Sequence, residues 1–159
     1  MTQQATAPPG LEYLFTLHSP TGGLPQAIDA SLTIYQAGPG GWARGPRLEA
    51  EILTPTGDWL CAVPGGSLRV DARMTLRSAE GALIYASYGG VIGITPENFA
   101  RMGSGGRLTA QEMVFFITPR FRSAHPKYAW LNQVQAVGRA VELKGGPQGH
   151  VRYEVFALH

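Results

Sequence analysis

Residues Ser67–Gly90 read SLRVDARMTLRSAEGALIYASYGG, two alternating runs joined at Ser78-Ala79-Glu80-Gly81. A side-chain period of two marks a β-strand, and a short glycine-containing break between two such runs marks a hairpin. In the first run Leu68, Val70, Ala72, Met74 and Leu76 share one face, opposite Arg69, Asp71, Arg73, Thr75 and Arg77. In the second, Leu83, Tyr85 and Ser87 oppose Ala82, Ile84, Ala86 and Tyr88. One face of the hairpin is apolar and the other carries charge and a phenol. Which of them looks inward decides every functional reading that follows.

The same alternation recurs on both sides of this hairpin. Upstream, strands are expected over Leu11–Ser19, weakly over Ala27–Gln36, then over Arg47–Leu53 and Asp58–Val63. Ser19-Pro20-Thr21-Gly22-Gly23, Gly38-Pro39-Gly40-Gly41, Pro55-Thr56-Gly57 and Pro64-Gly65-Gly66 supply turn chemistry between them. Downstream, Thr95-Pro96-Glu97 predicts a short helix over Pro96–Met102: a hydroxyl N-cap, proline in the first turn, then an acid. Met113–Thr118, a bent strand over Tyr128–Leu143 and a last strand over His150–Leu158 complete the pattern. About nine or ten short strands with regular turns define an all-β chain, and a sheet of that many strands curls shut into a single antiparallel β-barrel.

The composition narrows the function. The 159 residues fit one domain, expected over residues 11–159 behind a flexible Pro-rich lead-in over residues 1–10. Net charge is +2 with no run of Lys or Arg, which argues against nucleic acid as a partner. Charged residues are 15% of the chain, against about 25% in ordinary domains, which favours a self-associating surface and a homodimer. Cys61 is the single cysteine, in the apolar context Trp59-Leu60-Cys61-Ala62-Val63, so neither a disulfide nor a thiolate metal site is expected. His18, His125, His150 and His159 have no ligand spacing, and no phosphate-cradling loop or nucleophile elbow occurs. No metal and no cofactor is expected. No long apolar run and no signal peptide is present, so a cytoplasmic, membrane-free protein is expected.

Several segments carry a resemblance to a known family. LEYLF (Leu11–Phe15), GPRL (Gly45–Leu48), GDW (Gly57–Trp59), VDARMTLRSAEGALIY (Val70–Tyr85), TPRFRSAHPKYAWLN (Thr118–Asn132) and VGRA (Val137–Ala140) resemble, in order, the family catalogued as domain of unknown function 3237. The resemblance implies a calycin-like barrel with an open cavity, often dimeric, and implies little about chemistry. Met74 stands where that family carries tyrosine, so no phenol role passes to this position.

The candidate site residues follow from strand faces. Asp71 and Arg73, two apart, share a face. Alternation alone sends Leu68, Val70 and Met74 inward and leaves these two as a solvated pair. Cavities lined by polar groups, as the resemblance implies, admit the opposite orientation. With the polar face inward, Asp71 (or Asp58) acts as general base, Arg73 stabilises an oxyanion, and Tyr85 or Tyr128 returns a proton. An aspartate needs burial to raise its pKa for that task. Asp58 follows a turn and is read either as an Asx-turn residue or as a mouth residue. Tyr128, Trp130 and Asn132, on one face of the expected strand, form a ligand wall that Gln135 continues past a bulge. Trp59, Tyr88 and Phe121 complete the binding set. The expected ligand is a small hydrophobic or aromatic oxygenated molecule. Three functions fit: a cofactor-independent lyase, isomerase or cyclase; a non-catalytic carrier; and a structural homodimer.

Overall fold

In a computed structural model that describes residues 7–159, ten strands form one antiparallel sheet whose two ends meet. The elements run β1 (Leu11–Ala27), β2 (Leu32–Ala37), β3 (Trp42–Gly45), β4 (Leu48–Val63), β5 (Ser67–Ser78) and β6 (Leu83–Gly93). Helix α1 (Pro96–Gly103), β7 (Arg107–Thr109), β8 (Val114–Arg122), a 3-10 helix (Pro126–Gln133), β9 (Ala136–Lys144) and β10 (His150–Leu158) follow. Neighbours in the sheet are β10, β1, β2, β4, β5, β6, β8 and β9 in that order, and β9 pairs with β10 to close the ring. β3 bridges β1 and β4, and β7 lies along β9. The fold is all-β and barrel-like, with a single short α-helix among the described residues.

The apolar face of the β5–β6 hairpin is the one turned inward. Val70, Ala72, Met74 and Leu76 are buried, as are Ile84, Ala86 and Tyr88 across the ladder. Removing apolar surface from water contributes about 25 cal/mol per Å², and most of the strands contribute buried apolar side chains to the interior. Side chains meet across the interior: Phe15 of β1 packs edge-on to Phe121 of β8 at 5.7 Å, and Phe115 of β8 to Tyr153 of β10 at 5.2 Å. Helix α1 starts as its sequence requires, with the Thr95 hydroxyl accepting from the Asn98 amide at 3.2 Å and Pro96 in the first turn.

Three stretches differ from the sequence expectation. β1 runs on through Ser19–Gly23, which was expected to turn, as far as Ala27. Pro55-Thr56-Gly57 is not a turn but an irregularity inside the 16-residue β4, where the register against β5 shifts between Leu53 and Gly57. The Thr56 hydroxyl donates to the Leu53 carbonyl at 2.7 Å and supplies a local bond where the ladder is interrupted. Tyr128–Gln133 belongs to a 3-10 helix rather than a strand. Its start is set by Pro126 and by His125, whose Nδ1 accepts from the Lys127 amide at 3.3 Å. Residues 1–6 of the expected lead-in lie outside the described residues, and Gly10 exchanges backbone hydrogen bonds with His159 at 2.7 and 3.2 Å. No helix among the described residues is long and apolar enough to cross a membrane.

Close backbone approach fixes β3 against β1. A Cβ at Gly45 would lie 2.0 Å from the Leu14 carbonyl oxygen and 2.6 Å from the Phe15 Cα, both backbone atoms. Gly45→Ala is therefore expected to destabilise the protein by about 3 kcal/mol or more, while Gly103→Ala, which meets nothing within 4 Å, leaves the denaturation midpoint nearly unchanged. Equal midpoints for the two variants in urea would refute this account.

Candidate functional site

With the apolar face inward, the charged face of β5 lies outside the ring. Asp71 and Arg73 form a 3.1 Å ion pair whose side chains are 58% and 53% exposed. The Arg73 guanidinium stands 5.9 Å from the Trp59 ring on the same outer surface, and Tyr85 is likewise exposed. The expectation that Asp71, Arg73 and Tyr85 share a cavity is corrected. Turning them inward would have expelled Val70, Ala72 and Met74 and buried two charges, a far larger cost than one solvated ion pair recovers.

The expected wall of Tyr128, Trp130 and Asn132 is corrected as well, because a 3-10 helix does not keep alternate residues on one face. Tyr128 is buried and its hydroxyl donates to Glu80 Oε2 at 3.0 Å, pinning the helix to the turn of the β5–β6 hairpin. Lys127 pairs with the same carboxylate. Trp130 is half-buried beneath the Arg47 guanidinium at 3.8 Å. The Asn132 side chain accepts from the Ser123 amide and donates to its carbonyl, both at 2.9 Å. Gln135 is exposed and contributes its backbone carbonyl to the Leu158 amide at 2.8 Å. Phe121 packs inside against Phe15.

A different polar group does face inward. Past the β4 irregularity the register places Tyr35, Asp58, Ala72, Tyr88 and Pro119 in one row across β2, β4, β5, β6 and β8. Opposed residues of an antiparallel ladder share a face, so Asp58 lies on the buried side with Ala72 and Tyr88. Asp58 is half-buried, and its Oδ1 is fully buried with no hydrogen-bond partner among the described residues. Burial, reinforced by the negative charge of Asp71, pushes its pKa up to about 7. Ala72 puts only a methyl group between Asp58 and Tyr88.

The phenols around this carboxylate are held protonated. Burial first, then the Asp58 charge, raises Tyr88 beyond the ordinary phenol range, and the same two causes raise Tyr35. Tyr153 enters from β10, its ring edge-on to Tyr88 at 5.7 Å. It too lies well above the ordinary range, through burial and then the charges of Tyr88 and Asp58. Its hydroxyl is buried with no hydrogen-bond partner among the described residues. A carboxylate able to take up a proton near neutral pH thus neighbours phenols that keep theirs and can donate it in a hydrogen bond. Sequence reasoning named Asp58 and Tyr88 but missed Tyr153 and Tyr35. The signal for Tyr153 was its place between Val151 and Val155, which puts it on the apolar face of the last strand.

This architecture has known counterparts. The model of a family described as protein of unknown function, DUF3237, matches residues 9–158, and the chain belongs to that family. Among curated proteins it is similar to the UPF0311 protein RPA1785 of Rhodopseudomonas palustris, 28% identical over 132 residues, 81% of this chain and 86% of that one. The crystal structure of RPA1785 superposes with a TM-score of 0.84 at 22% identity, over 97% of this chain and 100% of that chain. A β-barrel-like protein of Acinetobacter baumannii AYE gives a TM-score of 0.76 at 26% identity, covering 99% and 100% of the two chains. A protein of Penicillium herquei described as an enzyme gives 0.68 at 19% identity, over 99% of each chain.

The raised pKa of Asp58 predicts a pH signature. Below about pH 4 the group is protonated both folded and unfolded. As pH rises toward 7 the unfolded chain loses the proton while the folded chain keeps it, so stability falls, and the loss is complete above about 7. The loss is on the order of 2–4 kcal/mol. His18, lowered chiefly by burial, contributes with the opposite sign up to about pH 6.5, and Glu80 and Glu112, each lowered to about 2 by hydrogen bonds from Lys127 and Arg101, act at lower pH. The difference between wild type and Asp58→Asn in urea denaturation isolates Asp58. The variant is expected to gain relative stability steadily from pH 4 to pH 7, and a pH-independent difference would contradict the assignment.

Proposed function

We propose that the protein is a cofactor-independent enzyme that performs acid–base chemistry on a small hydrophobic oxygenated compound, in the manner of a lyase, isomerase or cyclase. The observation that carries this reading is the buried, unpartnered oxygen of Asp58 beside the protonated phenols of Tyr88 and Tyr153. A general base works best with a pKa near the operating pH. Asp58 takes a proton from a carbon or hydroxyl next to a carbonyl, and Tyr88 and Tyr153 donate hydrogen bonds to the oxyanion that develops. The Tyr153 hydroxyl, without a hydrogen-bond partner among the described residues, has the capacity to make that bond. That a protein of the same fold from Penicillium herquei is described as an enzyme supports catalysis as a use of this architecture.

The same residues holding a ligand without turnover describe a carrier, and one experiment separates the two. Wild type is incubated in D₂O with a panel of small cyclic and aryl ketones such as 2-tetralone, and loss of the α-proton signals is followed by NMR. Exchange above the buffer rate that rises with an apparent pKa near 7 is expected, with Asp58→Asn slowing it about a hundredfold or more and Tyr153→Phe about tenfold. Ketone binding without exchange in the wild type would favour the carrier. Exchange that survives in Asp58→Asn would remove Asp58 from the mechanism.

A further inference from the structure

A concave feature lies on the outside of the ring, away from the Asp58 row. Across β3, β1, β10 and β9 a depression of about 500 Å³ is lined by Thr16, Trp42, Arg44, Val141, Arg152 and Glu154. Its volume falls in the range of about 300–1,000 Å³ that small-molecule sites occupy. Two cross-strand rows build it: Trp42, His18, Arg152 and Glu142 in one, Arg44, Thr16 and Glu154 in the other.

Polar groups on an outer sheet face ordinarily satisfy themselves in water, but here two have lost that access. Arg152 Nε and His18 Nδ1 are both buried without a hydrogen-bond partner among the described residues. The surrounding charges are engaged elsewhere. Glu142 binds Arg107 at 2.6 Å and pairs with His150. The Arg44 guanidinium lies over the Trp42 ring at 4.7 Å and reaches Glu49 at 3.9 Å. The His18 ring stacks on Trp42 at 5.3 Å and abuts His150 at 4.7 Å, which fixes the floor. Burial, then the charges of His150 and Arg152, holds the His18 pKa down, so the ring stays neutral. Arg152 makes no direct salt bridge among the described residues, although its charge is felt by Glu142 opposite it, and the wall also carries one carboxylate, Glu154.

We propose that this depression binds a small organic carboxylate that also carries a hydrogen-bond donor, an aryl-substituted α-hydroxy or α-amino acid. The ligand carboxylate meets the Arg152 guanidinium as a charge-assisted pair, and its hydroxyl or ammonium group meets Glu154. The aryl group lies along Val141 and the Trp42 edge. Glu154 disfavours a multiply charged anion such as a phosphate ester, which would bring like charges together at the rim.

The test is a titration of ¹⁵N-labelled full-length protein with mandelate, phenylglycine, phenylacetate and phenyl phosphate, following the Trp42 indole N–H. Mandelate and phenylglycine are expected to shift it saturably with Kd of about 1 mM or below, and phenylacetate about tenfold more weakly. Arg152→Gln should weaken mandelate binding about tenfold or more, and Glu154→Gln should abolish its advantage over phenylacetate. If Arg152→Gln does not fold, Arg152→Lys serves in its place and is expected to bind more weakly than wild type, because lysine lacks the planar fork. The absence of a saturable shift with all four compounds, unchanged affinity on replacement of Arg152, or tightest binding of phenyl phosphate each overturns the proposal.

Discussion

A strand at the edge of a sheet leaves a row of backbone donors and acceptors unpaired, and a ten-stranded sheet that stayed open would expose two such rows. Here the β9–β10 pairing joins the two ends of the sheet, and closure brings together the buried apolar side chains that most strands turn inward. The contacts of Phe15 with Phe121 and of Phe115 with Tyr153 join strands that are not neighbours in the ladder. They fill the space that the hydrogen-bonded ring defines. Local irregularities such as the one in β4 bend the wall without opening it.

Against that constraint, the Asp58 row stands out as the place where the interior departs from its own rule. A carboxylate oxygen without a partner is costly in an apolar setting, and the raised pKa of Asp58 expresses that cost as a readiness to hold a proton. Replacing Asp58 by a leucine of similar size would suit the core better. Its presence among phenols therefore calls for a reason other than stability, and acid–base work supplies one. The outer depression departs from expectation in the opposite sense: on a face where water is abundant, Arg152 and His18 have atoms that water does not reach.

The fold was legible in the sequence because its signal was redundant. The β5–β6 hairpin, the strand rhythm and the Thr95-Pro96-Glu97 helix start each reported the local structure correctly. The misreadings had physical sources. Pro55-Thr56-Gly57 carries turn residues, yet β4 continues because the Thr56 hydroxyl substitutes for a ladder bond. Tyr128, Trp130 and Asn132 alternate as a strand would, yet His125 and Pro126 impose a helix start that the alternation masked. The site was less legible than the fold. Alternation identified Asp71 and Arg73 as a pair but could not fix their direction, which depends on what the far side of the ring contributes. Asp58 and Tyr88 come together through a register shift spanning two strands, and Tyr153 reaches them from the other end of the chain. Such meetings leave no mark in local spacing.

The alternation described for β5 and β6 also bears on how this architecture persists through divergence. Only every second residue of a strand takes part in enclosing the interior, while its neighbours face outward and need only avoid spoiling solubility. Half of each strand is thus free to drift, and even the inward half tolerates exchange among apolar side chains of similar volume. A chain can replace most of its residues and still close the same ring. RPA1785, with a TM-score of 0.84 at 22% identity, has the degree of likeness such a rule allows. Two members of one lineage could then present unrelated exteriors, and meet different partners, around an interior that has scarcely changed.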